Sequence, residues 1–73
     1  MKVTLESTTK IVTVNGVPAR IWDGETAGGI RVHAYVTRIA VAAKDDAAQF
    51  ESELQECRAP SPEVAAIPLR LIL

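Results

Sequence analysis

Lys10-Ile11-Val12-Thr13-Val14-Asn15-Gly16-Val17-Pro18-Ala19-Arg20-Ile21-Trp22 decides the fold. The β-branched run Ile11 to Val14 and a second apolar run from Val17 flank an Asn-Gly pair. A two-residue type I′ turn needs positive φ at both central positions, and Asn-Gly meets that need at least steric cost. With Asn15-Gly16 as the loop, the predicted pairs are Val14 with Val17, Thr13 with Pro18, Val12 with Ala19, Ile11 with Arg20, Lys10 with Ile21 and Thr9 with Trp22. Paired residues share a face of the sheet. One face therefore collects Val12, Val14, Val17, Ala19 and Ile21 as the core side, and the other collects Thr9, Ile11, Thr13, Pro18, Arg20 and Trp22. Pro18 has no N–H to donate, so the side its nitrogen faces belongs at a sheet edge or a bulge.

Outward from the hairpin, Val3-Thr4-Leu5 alternates, and Asp23 to Gly29 is rich in turn formers. Ile30 to Ala42 reads as a long β run in which Ile30, Val32, Ala34 and Val36 alternate with Arg31, His33, Tyr35 and Thr37. The parity then flips, with Ile39 and Val41 on the polar phase. That predicts a bulge or bend near Thr37-Arg38; the competing explanation is a strand end buried on both faces. A helix follows over about residues 46–58, with Asp46 as N-cap and Gln49 three residues on. Its apolar stripe is Ala47, Phe50, Leu54 and Cys57. Ala59-Pro60-Ser61-Pro62 stops it, Ser61-Pro62-Glu63 can cap one further turn through Ala66, and about 68–73 reads as a strand. The predicted class is α+β: a small antiparallel sheet in the order β-β-β-α-β, with one helix packed on one face. The whole of 1–73 forms a single domain, β-rich over 1–44.

Composition narrows the means of stabilisation. The chain has 73 residues, 48% of them hydrophobic and three of them aromatic (Trp22, Tyr35 and Phe50). Domains this small have marginal cores and rely on disulfides, metals, close packing or association. One cysteine (Cys57) excludes an internal disulfide, and one histidine (His33) argues against a zinc knuckle. No metal or cofactor is expected. Residues 1–44 carry six basic and three acidic side chains, residues 45–73 two basic and six acidic, within a formal net charge of −1. That balance is far from a dedicated nucleic-acid binder. The N-terminus lacks the apolar region of a signal peptide, no run approaches the roughly 20 apolar residues of a membrane span, and the lone thiol suits a reducing compartment. The expected location is the bacterial cytoplasm.

Catalytic templates fail in turn. Ser-His-Asp catalysis has only His33 as its base. Cys57 falls in an apolar stripe near a helix C-terminus, where the dipole opposes a thiolate, and reads as a small buried hydrophobe. Gly24, Gly28 and Gly29 are followed by neither Gly-Lys-Ser/Thr nor a helix, so they form no phosphate loop. Two carboxylates, Asp23 and Glu25, are too few for a hard cation. No catalytic residue is assigned.

One constellation carries recognition chemistry. If the third strand keeps the alternation of the second, Arg31, His33 and Tyr35 join Ile11, Arg20 and Trp22 on the non-core face. Two guanidinium groups, an imidazole, an indole and a phenol can stack an aromatic group and pair with an anion, and such residues dominate interface hot spots. The alternative is that Trp22 covers the edge of the core or packs against the helix while the arginines are solvated. At the C-terminus, Ile67, Leu69, Leu71, Ile72 and Leu73 need a surface. They either add to their own sheet or pair with a second copy, which makes them the candidates for a homo-oligomer interface, a dimer first.

The stretch Thr8 to Gly24, together with Phe50-Glu51-Ser52-Glu53-Leu54-Gln55-Glu56, resembles small orphan accessory proteins of tailed phages and prophages. The resemblance covers about half the chain and brings no catalytic residue. It implies a bacterial, mobile-element setting and action by binding a host or anti-phage defence component. The leading expectation is thus a non-enzymatic binder of a protein partner. The alternatives are a binder of nucleotide-like anionic aromatic ligands, a single-stranded nucleic-acid binder, for which the basic half makes a weak groove, and a virion assembly component.

Overall fold

A computed structural model describes residues 1–71 of the chain. Asn15 (φ 50°) and Gly16 (φ 82°) both adopt the left-handed conformation that a type I′ turn requires. They join β1 (Val3–Val14) to β2 (Val17–Thr26), with Val14 opposite Val17, Val12 opposite Ala19 and Ile11 opposite Arg20. Beyond Ile11 the pairing changes. Trp22 lies opposite Ser7 and not Thr9, so Thr8, Thr9 and Lys10 all stand against Ile21 alone. The fully buried Thr8 side chain fills this bulge. Its hydroxyl donates to the Ile21 carbonyl at 2.6 Å and accepts from the Lys10 N–H at 3.2 Å. Because two extra residues are accommodated, the parity of β1 survives and Ser7 shares a face with Ile11.

β3 (Arg31–Val36) adds antiparallel to β2, and β4 (Arg70–Leu71) adds parallel to β1, giving the strand order β3-β2-β1-β4. The domain is α+β, but its sheet is mixed and not wholly antiparallel. Parallel pairing follows from the long excursion after β3, which returns the chain to the end of the sheet from which β1 also starts its last residues. The β run expected over Ile30 to Ala42 stops at Val36, and residues 37–45 are exposed without strand pairing. The parity flip therefore marks the end of the strand, not a bulge. Pro18 supplies a reason: it is the next β2 position facing β3, and it has no N–H with which to extend the ladder.

The helix expected over 46–58 is α1 (Ala47–Leu54), capped by Asp46, whose carboxylate accepts from the N–H groups of Ala48 and Gln49. It ends early because Arg58 is drawn into an extended bridge with β1. The Arg58 N–H donates to the Ser7 carbonyl at 3.1 Å, and the Thr9 N–H donates to the Arg58 carbonyl at 3.0 Å. α1 buries none of its residues, and Cys57 is exposed, so neither is the core element expected. The packed helix is α2 (Pro62–Ala65), capped by Ser61. Its fully buried Val64 joins Val12, Ala19 and Ile21 to form the core, flanked by Val14, Tyr35 and Ile67. Val17, expected on the core side, is 48% exposed at the turn.

Two contacts lock α2 to the sheet. The buried Asp23 carboxylate accepts from the Ser61 N–H at 3.2 Å, and the Lys10 ammonium donates to the Ala65 carbonyl at 3.3 Å. At Gly24 the strands come so close that a Cβ would lie 1.8 Å from the Thr4 carbonyl oxygen. Only one side of the sheet is sealed in this way. The Cα radius of gyration is 13.3 Å, against about 11 Å for a compact chain of 73 residues.

Candidate functional site

The register of β3 splits the expected recognition platform. Tyr35 lies opposite Ile21, His33 opposite Asp23 and Arg31 opposite Glu25. These three therefore stand on the α2 side of the sheet, while Ile11, Arg20 and Trp22 stand on the other. The residues that join Trp22 across the ladder are Ala34 and, next to it, Val32 and Val36. The signal that sets this parity is Ala27-Gly28-Gly29. The Thr26 N–H donates to the Ile30 carbonyl at 2.9 Å, and Gly29 has φ 86°, so a three-residue loop connects residues of equal parity.

On the Trp22 side, a cleft of about 260 Å³ is lined by Ile11, Arg20, Trp22, Val36, Ile39 and Leu54 together with Ser7, Pro18, Ala19, Thr37 and Arg38. Trp22 is half-buried, Ile11 is 47% exposed, and Ile39 and Leu54 are also open to solvent. The floor is β-sheet, which fixes Ile11, Arg20 and Trp22 relative to one another. The far wall is α1 and the segment after β3. One arm of the Arg20 guanidinium donates to the Thr8 carbonyl at 2.7 Å and reaches the Cys57 sulfur at 3.9 Å. Arg20 thus ties the β1 bulge to the segment after α1, and its remaining donors carry no hydrogen bond among the described residues. Arg38 and Ile39, which sequence periodicity treated as part of a strand, enter the cleft because the chain leaves the sheet at Val36.

On the α2 side, Arg31, His33 and Tyr35 meet a different setting. The His33 and Tyr35 rings are 5.6 Å apart and tilted by 40°. A cleft of about 210 Å³ is lined by Asp23, Arg31, Val32, His33 and Glu63, which places one guanidinium and one imidazole beside two carboxylates. His33 and Cys57 lie on opposite sides of the sheet. The ion pair among the described residues, Arg58 with Glu6 at 3.6 Å, is exposed and contributes little.

No protein-family model, curated protein or solved structure matches this chain. Among the described residues, no three His, Cys, Asp or Glu side chains are placed to hold a metal ion, and no helix is long and apolar enough to cross a membrane.

The C-terminal candidates are largely accounted for by the chain itself. Ile67 packs against the core, the Leu69 carbonyl accepts from Thr13, and Leu71 pairs with Val14 in β4. The Leu69 side chain remains 67% exposed. Ile72 and Leu73 lie outside the described residues. Of the two alternatives for this tail, addition to its own sheet is the one observed.

Proposed function

We propose that the chain is a small, non-enzymatic accessory protein that binds a protein partner through the Trp22 cleft, and that it also self-associates. The observation that carries the reading is the one-sided sealing of the sheet. α2 covers one face, whereas the other presents Ile11, Trp22, Ile39 and Leu54 around an open cleft. A half-buried Trp on a rigid strand, next to a partly free Arg, is the composition of an interface hot spot. Arg20 and Arg38 give the lining a positive sign, which favours a partner segment that combines an apolar anchor with a carboxylate. The resemblance to phage accessory proteins supports a host or anti-phage defence component as that partner and the bacterial cytoplasm as the setting.

A tagged copy expressed in a bacterial host should retain a stoichiometric protein through salt washing, and Trp22→Ala and Ile11→Asp should both release it. Recovery of the tagged chain alone under several conditions overturns the reading. The cleft volume favours a second reading, a small anionic aromatic ligand seated on Trp22 and Arg20. Arg31, His33 and Tyr35, on the far side of the sheet, take no part in it. A ligand at 100 times its dissociation constant adds about 2.7 kcal/mol of stability, so a thermal-shift panel of nucleotides decides this case.

A further inference from the structure

The two edges of the sheet are treated differently. Hydrogen-bonded and non-hydrogen-bonded pairs alternate along an antiparallel ladder. The bond from the Thr26 N–H to the Ile30 carbonyl makes that pair a hydrogen-bonded one. In the observed register, Gly24 with Val32, Trp22 with Ala34 and Arg20 with Val36 are then hydrogen-bonded too. The backbone groups of Arg31, His33 and Tyr35 consequently point away from β2, along the outer edge of the sheet. On β1 the outward residues Ser7, Thr9 and Thr13, with Asn15 in the turn that follows, bond to Arg58, Leu69 and Leu71. From Ser7 to the turn the chain covers that edge with its own C-terminal segment, leaving the outward Val3 and Leu5 without such a bond, and it has no such segment anywhere on β3 among the described residues.

Edge strands are normally guarded by Lys, Pro, a bulge, an inward charge or a covering element. β3, Arg31-Val32-His33-Ala34-Tyr35-Val36, contains no Pro, Lys, Asp or Glu and carries one charge, Arg31, at its first position, and its ladder with β2 is regular throughout. We infer that β3 pairs antiparallel with β3 of a second copy, with His33 opposite His33 on the two-fold axis. This rests on the self-association included in the reading above and is independent of the Trp22 cleft.

The register follows from the pairing of outward residues. Centred on His33, each Arg31 faces Tyr35 of the second copy, so every outward residue of both strands finds a backbone partner inside β3. A shift of two residues either way sets Tyr35 against Gly29 or Arg31 against Thr37, beyond the strand. On the α2 side the Arg31 guanidinium meets the Tyr35 ring of the other copy, a cation–π pair. On the other side Val32 meets Ala34, and Val36 meets Ile30, which is 68% exposed in the single chain. The axis is perpendicular to the sheet. Both Trp22 clefts therefore open on the same side of one continuous eight-stranded sheet, twice the four strands of each chain.

Light scattering across a dilution series should give the mass of two chains for the wild type and of one for His33→Pro. That substitution removes an outward N–H and leaves the β2 ladder intact, so the far-UV circular dichroism should be unchanged. In a Cys57→Ser background, His33→Cys should oxidise to a covalent dimer, because the Cα atoms of a hydrogen-bonded pair stand about 5.5 Å apart, within disulfide range. Tyr35→Cys in the same background should not, since it faces residue 31. A wild type that stays monomeric overturns self-association altogether. A His33→Pro variant that still dimerises, or Tyr35→Cys cross-linking as fast as His33→Cys, overturns the β3 pairing alone. Should His33→Pro fail to fold, the two cysteine variants decide.

Discussion

The Thr8 hydroxyl donates to the Ile21 carbonyl at 2.6 Å, at the one place along β1 where the bulge withdraws the backbone donor that Ile21 would otherwise meet. Thr8 is 0% exposed, so no water replaces that bond. Thr8→Val keeps the shape and removes the donor, and should lower stability by about 1–3 kcal/mol. Thr8→Ser keeps the donor and should lose only about 1 kcal/mol for the missing methyl group. Urea denaturation midpoints at unchanged slope provide the comparison. Equal losses for the two variants would mean that packing, not the hydrogen bond, holds the bulge.

Asp23 and Ser61 set a second test. The carboxylate, 4% exposed, accepts from the N–H that begins α2. Asp23→Ala leaves that N–H without its partner in a partly buried position and should cost about 1–3 kcal/mol. Amide hydrogen exchange should localise the loss, with protection falling first at Val64 to Ile67, whose N–H groups close α2.

The two helices should respond in opposite ways to truncation. Val64→Ala empties part of the core and should destabilise by roughly 2 kcal/mol, whereas Leu54→Ala, on the partly exposed wall of the cleft, should stay within about 1 kcal/mol. Thermal unfolding of both variants checks this. The binding assay with the natural partner should show the reverse order, with Leu54→Ala the more damaging.

Two glycines act for different reasons. Gly16→Ala meets no atom within 4 Å, and its penalty comes only from φ 82°, so about 1–2 kcal/mol is expected. At Gly24 a methyl group would press on the Thr4 backbone, which must move. Gly24→Ala should therefore cost more, about 3 kcal/mol, and should also broaden the amide resonances of residues 4–6 and 23–25.

These contrasts explain what was legible in the sequence. Asn15-Gly16 acts over two residues, and the pairing next to it, from Val14–Val17 to Ile11–Arg20, could be read directly. The bulge at Thr8 to Lys10 could not, because its alternative hydrogen-bond partner is Arg58, far along the chain. The same distant partner shortens α1, since a residue recruited to β1 cannot remain helical. The face of Arg31, His33 and Tyr35 is not legible from alternation alone, because the three-residue loop after Thr26 sets the parity of β3 against that of β2. Ile11, Arg20 and Trp22 do share a face, because Ile11 pairs with Arg20 next to the turn and Trp22 follows Arg20 by two residues on the same strand. Cys57 illustrates a further limit: helical spacing identified a stripe, but nothing was packed against it.

The C-terminal closure of β1 also orders events in time. The hairpin and β3 are complete once Val36 has been synthesised, but Arg58, Leu69 and Leu71 are not yet available to bond Thr9, Thr13 and Asn15. At elongation rates of about 5–20 residues per second this interval lasts about 2–7 seconds, far longer than the microseconds a hairpin needs to form. A nascent chain thus presents two open strand edges before it presents one, and crowded ribosomes on one message are the place where mispairing between copies should begin.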